Sequence, residues 1–285
     1  LTYEEIERIS RIFLGMGINK IRITGGEPML RRDLETLIRK LSVLPGLQDL
    51  ALTTNGFNLA ERAASLKEAG LHRVTISLDS LRKSRFFEIT RSQEFEAVLD
   101  GIDSAIKQGL KPVKVNCVVV RGLNDDEILD FVEFAQEKQI TVRFIEFMPL
   151  DEDEDWDRSR VVAGKEILDR IQARFQIVGR KQESNSQTAS NFDLSGSSGG
   201  IGVITTISNP FCQACSRIRL TADGKVRNCL FSSEEHSIRE GLRSDYSDSE
   251  IEKEIHRIVS HKESGHRINE PDFTAPPRSM SYIGG

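Results

Sequence analysis

Five short runs of apolar, largely β-branched residues recur through the first half of the chain, near Ile18–Thr24, Asp49–Thr53, Arg73–Leu78, Val113–Val120 and Val142–Phe147. Strands of a parallel sheet covered on both faces have this composition. Between them lie stretches with helical apolar spacing, Asp33–Leu41, Leu59–Ala69, Phe95–Gln108 and Asp125–Lys138. A further helix is predicted over Tyr3–Leu14, where Thr2 and Glu5 form a capping box and Ile6, Ile9 and Phe13 share one face. Repeated strand–helix steps predict an α/β fold with a parallel sheet. Polar groups gather at the predicted strand ends: Thr24-Gly25-Gly26-Glu27, Thr53-Thr54-Asn55-Gly56, Ser77-Leu78-Asp79-Ser80 and Glu146-Phe147-Met148-Pro149. Barrel enzymes build their sites there, which favours a partial TIM-like (βα) barrel over an open doubly wound sheet. A series that opens on a helix predicts a strand upstream of Leu1.

The composition changes after Pro149. Asp151–Asp157 is acidic, Lys165–Phe175 reads as a helix, and Glu183–Gly200 is polar, low in complexity and expected to be a flexible surface loop. Short strands are predicted near Ile201–Ile207, Arg217–Thr221 and Lys225–Cys229, the last two turned by Ala222-Asp223-Gly224-Lys225. A helix near Asp248–Ser260 precedes an irregular tail. The expected division is a core at 1–150 and a C-terminal region at 151–285.

Three of the four cysteines form C-x2-C-x13-C at Cys212, Cys215 and Cys229, with Arg217 and Arg219 inside the pattern. Three thiolates can hold a metal or an iron–sulfur cluster and leave one position open for substrate. Zinc, with His236 as a fourth ligand, and iron–sulfur both satisfy the spacing. Arg217 and Arg219 alternate with Ile218, so on a strand both face one way, and planar guanidinium groups suit phosphate. Cys117 sits in an apolar strand and reads as a buried, inert thiol. The net charge of −5 argues against general nucleic-acid binding, so an anionic substrate needs a local basic pocket. No apolar run is long enough to span a bilayer. Clustered rather than distributed cysteines fit a reducing compartment, the cytoplasm or, in a eukaryote, the mitochondrial matrix.

Ile21–Pro28, Thr53–Gly56 and Val74–Ser80 resemble a radical S-adenosylmethionine (SAM) core. The Phe211–Gly224 segment, Cys229-Leu230-Phe231 and the terminal Arg278-Ser279-Met280-x2-Ile283-Gly284-Gly285 resemble the GTP 3′,8-cyclases of molybdenum-cofactor biosynthesis. The resemblance implies conversion of GTP to 3′,8-cyclo-7,8-dihydro-GTP, begun by a radical derived from SAM that removes hydrogen from C3′. It implies that Cys212, Cys215 and Cys229 hold an auxiliary [4Fe–4S] cluster. It implies GTP contacts at Arg22, Thr53, Lys114, Arg217 and Arg219, and SAM contacts at Gly26, Ser77 and Met148, with Gly25 and Glu27 in the same loop. Gly284 and Gly285 match a double-glycine tail that reaches the active site. No side chain is assigned a catalytic role. The implied partners are GTP, SAM, an electron donor and the downstream cyclic pyranopterin synthase; a homodimer is compatible, and neither nucleic acid nor membrane is expected. The family's first cluster uses C-x3-C-x2-C, and no cysteine precedes Cys117 here. That motif is expected upstream of Leu1, with a second [4Fe–4S] cluster, and this stretch alone is expected to be inactive. The competing readings are another radical SAM enzyme with an auxiliary cluster and a non-catalytic zinc- or nucleotide-binding fragment.

Overall fold

A computed structural model describes residues 1–150, 156–181, 187–276 and 278–283. In chain order the elements are α1 (Tyr3–Gly15), β1 (Lys20–Ile23), α2 (Leu34–Ser42), β2 (Asp49–Thr54), α3 (Leu59–Glu68), β3 (Arg73–Ser77), α4 (Lys83–Thr90), α5 (Phe95–Lys107), β4 (Lys114–Val119), α6 (Ile128–Lys138), β5 (Thr141–Glu146), α7 (Gly164–Gln172), β6 (Ile177–Gly179), β7 (Ser190–Leu194), β8 (Gly200–Ile204), β9 (Arg219–Leu220), β10 (Lys225–Arg227), β11 (His236–Ser237), α8 (Arg239–Arg243) and α9 (Asp248–Ser260). They form two compact units: residues 1–53, 65–72 and 216–285 in the first, 54–64 and 73–215 in the second.

In the first unit β1 and β2 run parallel with Arg22 opposite Ala51. The Thr2–Glu5 capping box is present at the start of α1. The apolar face of α1, Ile9, Ile12 and Phe13, packs with Ile251, Ile255 and Ile258 of α9 and with Val226, Ile238 and Leu242. Burying an aliphatic side chain of this size contributes about 1.5–3 kcal/mol. Arg8 to Asp248 at 2.8 Å and Arg243 to Glu5 at 2.6 Å flank the apolar contact. The second sheet of this unit is antiparallel, β11-β10-β9, and Gly224 makes the turn into β10 at φ +87°.

The second unit carries strands in the order β3-β4-β5-β8-β7-β6. β3, β4, β5 and β8 pair in parallel, and β7 returns antiparallel between β8 and β6. One sheet face is sealed: Val74, Ile76, Val115, Cys117, Val119, Val142, Phe144, Ile201 and Val203 are all buried. Phe131 of α6 meets Phe144 edge-on with ring centroids 6.3 Å apart. The other face carries the polar members of the same strands except Glu146, which ends β5 on the sealed side.

Several elements differ from expectation. The polar stretch Glu183–Gly200 is not simply a loop, because Ser190–Leu194 forms β7; residues 182–186 lie outside the described residues. Its pairing to both neighbours supplies the strand with backbone partners that its polar composition does not advertise. The helix α4, which buries little besides Phe86, is absent from the periodicity reading. β9 is two residues long and excludes Arg217. β8 ends at Ile204 rather than Ile207 because the chain then turns to a buried carboxylate, described below.

Candidate active site

Within the first unit the predicted phosphate and SAM positions lie at the ends of β1 and β2. Arg22 and Thr53 fall on one face, since Arg22 is opposite Ala51 and Thr53 is two residues further on. Arg22 Nη1 donates to Thr53 Oγ1 at 3.0 Å. A threonine hydroxyl thus fixes one edge of the guanidinium of an otherwise exposed side chain. Gly25 follows at φ +144°, with open space where a Cβ would stand, so a side chain would strain the loop. Glu27 Oε1 accepts from the Met29 amide at 2.9 Å, and Pro28 opens the short turn Pro28–Leu30. Gly25 and Gly26 are both exposed there, as a backbone-lined ligand loop requires.

Further along the first unit, Arg219 sits on β9 opposite Arg227 and is half-buried; Arg217 is exposed, its carbonyl accepting from Lys262 Nζ at 2.7 Å. Arg217 lies outside β9, so the shared strand face expected for Arg217 and Arg219 does not form. Cys229 lies just after β10, and the Ser232 amide donates to its carbonyl. Arg278 is bound to Asp223 at 3.0 Å. Gly284 and Gly285 lie outside the described residues.

In the second unit Ser77 and Lys114 share the open sheet face. Thr75 is opposite Lys114, Ser77 opposite Asn116, and Asn116 opposite Arg143. In-register residues of parallel strands project to the same side, so Arg73, Ser77, Lys114, Asn116 and Arg143 line one surface. Arg143, Arg73 and Asn116 are not among the residues that the sequence singles out. Burial pushes the Arg143 guanidinium down to about 10, with the Arg73 charge adding to the effect. Arg143 Nε and Asn116 Oδ1 are buried without hydrogen-bond partners among the described residues. A half-buried cation beside a second cation, with a buried donor unmet, is costly unless an anion completes it. Met148 lies half-buried just beyond β5, and Trp156 Nε1 donates to the Phe147 carbonyl at 3.0 Å beside it.

Cys212 and Cys215 also belong to the second unit. Cys212 opens a short turn, Cys212–Ala214, and the Cys215 amide donates to its carbonyl at 3.0 Å. Cys212, Cys215 and Cys229 form no disulfide and are partly accessible, whereas Cys117 is buried. Accessible soft thiols are the donor chemistry that an iron–sulfur cluster requires. Among the described residues no three His, Cys, Asp or Glu side chains gather into a group for a metal ion. The three-thiol set therefore rests on the C-x2-C-x13-C spacing.

Kinship is extensive. Residues 1–135 match the radical SAM superfamily, and residues 140–268 match Molybdenum Cofactor Synthesis C. The chain is 43% identical over 289 residues to the GTP 3′,8-cyclase of Rhodopirellula baltica, covering 100% of this chain and 80% of that protein. The chain belongs to the GTP 3′,8-cyclase family. The mitochondrial GTP 3′,8-cyclase of Arabidopsis thaliana is 44% identical over 285 residues, covering 100% of this chain and 73% of its own. The solved structure of Streptococcus suis SuiB with S-adenosylmethionine shares the fold, at TM-score 0.61 and 14% identity, covering 86% of this chain and 57% of that one. As members of the radical SAM superfamily, GTP 3′,8-cyclases imply a [4Fe–4S] cluster and SAM. No helix among the described residues is long and apolar enough to cross a membrane.

Proposed function

We propose that the chain carries the activity for which its family is named: ring closure of GTP to 3′,8-cyclo-7,8-dihydro-GTP, the first step of molybdopterin biosynthesis. The observation that carries this reading is the 43% identity running the whole length of the chain. Bound SAM and its cluster supply the radical that abstracts hydrogen; the residues of this chain bind, orient and shield the substrate.

Arg22, already oriented by Thr53, and Lys114 contact GTP, together with Arg217 and Arg219. Arg143 joins them, because its partly desolvated charge and buried, unmet Nε donor are what a triphosphate would neutralise. Gly25, Gly26 and Glu27 form the SAM loop; Ser77 and Met148 complete it. Cys212, Cys215 and Cys229 would hold the auxiliary cluster, which would help seat the guanine of GTP. Residues 1–150 form the radical SAM core and 151–285 the auxiliary region. An electron donor serves the reaction, cyclic pyranopterin synthase takes the product, and the protein acts in a reducing compartment, as a homodimer.

Anaerobic reconstitution of the complete natural polypeptide tests the reading. The auxiliary site should add about four iron and four sulfide. GTP should perturb that cluster's electron paramagnetic resonance, and turnover with SAM and reductant should yield the cyclised nucleotide. One zinc at these cysteines, with no GTP response, would overturn it.

A further inference from the structure

Glu146 ends β5 and is fully buried. Its Oε1 accepts from the Gly164 amide at 2.7 Å and from the Ser208 hydroxyl. Its Oε2 accepts from the amides of Ile207 at 2.7 Å and Ser208 at 2.8 Å. Four donors from two separate segments thus converge on one carboxylate. A buried carboxylate is tolerable only when its lone pairs are filled in this way. Gly164 shows how close the approach is: a Cβ there would stand 2.3 Å from Thr205 Cγ2 and 3.5 Å from Glu146 Oε1. The first turn of α7 reaches the carboxylate only because position 164 has no side chain.

The two segments are functionally suggestive. Gly164 closes the loop that leaves β5 through Met148, the proposed SAM contact. Ile207 and Ser208 begin the limb that carries Cys212 and Cys215. From Ser208 to Cys212 the chain has little freedom. Thr205 Oγ1 donates to the Asn209 carbonyl at 2.9 Å, Pro210 fixes its own φ, and the Ala214 amide donates to the Phe211 carbonyl at 3.3 Å. A limb pinned at residues 207–208 is therefore held through to the thiols.

We propose that Glu146 is a positioning residue which fixes the C-x2-C limb relative to β5, so that Cys212 and Cys215 are placed before any cluster binds. The link to a cluster rests on the reading of the cysteines given above; the pinning of the limb does not. Two variants differ in what they remove. Glu146→Leu removes both carboxylate oxygens, and with them the bonds from the Gly164, Ile207 and Ser208 amides and the Ser208 hydroxyl. Glu146→Gln can turn its amide oxygen to those two amides and give its nitrogen to the Ser208 hydroxyl, leaving only the Gly164 amide unmet.

The test is hydrogen exchange on the metal-free complete protein, with iron and sulfide content after reconstitution. Glu146→Leu should speed exchange across residues 205–215 about ten- to a hundredfold while β3 and β4 keep their protection, and should lower iron at the auxiliary site. Glu146→Gln should expose the Gly164 amide and spare 205–215, which keeps the test decisive should the leucine variant not fold. Unchanged exchange at 205–215 in Glu146→Leu, loss spread evenly over the sheet, or an unaltered Gly164 amide in Glu146→Gln would overturn the proposal. If the unsubstituted protein takes up no auxiliary cluster, the cysteine reading fails, while the exchange data still decide the role of Glu146.

Discussion

Arg278 Nη2 donates to Asp223 Oδ2 at 3.0 Å, tying the end of the chain to the β9–β10 turn. The same guanidinium lies 3.2 Å from Glu235, whose other oxygen meets the fully buried Arg227 at 2.6 Å. The hydrogen bond from Arg278 is the largest cause holding the Asp223 carboxyl down to about 2 from 3.8. A depressed carboxyl pKa adds stability above the unfolded value and loses it as pH falls through the folded one. The window here is pH 4 to 2. Asp223 is substantially exposed, so the pair contributes at most about 1 kcal/mol. Asp223→Asn should flatten the pH dependence of unfolding in that window. Arg278→Ala should let limited proteolysis remove the terminal segment faster with little change in melting temperature; equal proteolysis rates would show that the latch holds nothing.

Asp79 behaves in the opposite sense. Burial pushes its carboxyl up to about 6, opposed by the Val118 amide that donates to Oδ1 at 2.7 Å. A raised carboxyl pKa means full stability below the unfolded value near 3.8, lost as pH rises through about 6. A shift of this size costs about 3 kcal/mol at neutral pH. Asp79→Asn keeps an acceptor for Val118 and removes the charge. Denaturant unfolding at pH 3 and pH 8 should show the variant gaining about 2–3 kcal/mol over the unsubstituted protein between the lower and the higher pH. An equal pH slope in both proteins would contradict the burial argument.

The parallel strands and their covering helices are legible from sequence because their runs are long and apolar on one face at least. Arg143 is not, because Val142 and Phe144 dominate the same run and conceal the alternation Thr141, Arg143, Ile145 on the other face. Counting that face separately would have found it, since a charge at period two in an apolar strand is either exposed or functional. β7 escapes because its partners, not its composition, make it a strand. Glu146 escapes because its donors come from residues 18 and about 60 positions away, a convergence that only the fold supplies.

The four thiols should differ sharply in reactivity. Burial pushes the Cys117 thiol well above its ordinary value, with the Asp79 charge adding to it. A buried, protonated thiol is a poor nucleophile. In metal-free native protein, iodoacetamide should label Cys212, Cys215 and Cys229 and leave Cys117 unlabelled until denaturant is added. Peptide mass spectrometry reads the outcome directly. Early labelling of Cys117 would mean that the sheet face it seals opens readily.

Arg143 separates stability from function. Its charge is desolvated, repelled by Arg73 and short of one hydrogen bond. Replacing such a group with an apolar side chain of similar length is commonly neutral or stabilising by about 1–4 kcal/mol. Arg143→Met should therefore melt at the same temperature or a few degrees higher. If Arg143 helps neutralise a triphosphate, the same variant should bind GTP about ten- to a hundredfold more weakly, since a charge-assisted contact contributes about 1.5–3 kcal/mol. Guanosine, which lacks the phosphates, should bind both proteins equally. Calorimetric titration with GTP and guanosine, beside thermal melts, checks the three outcomes together. A variant that loses stability and keeps GTP affinity would place Arg143 in the scaffold instead.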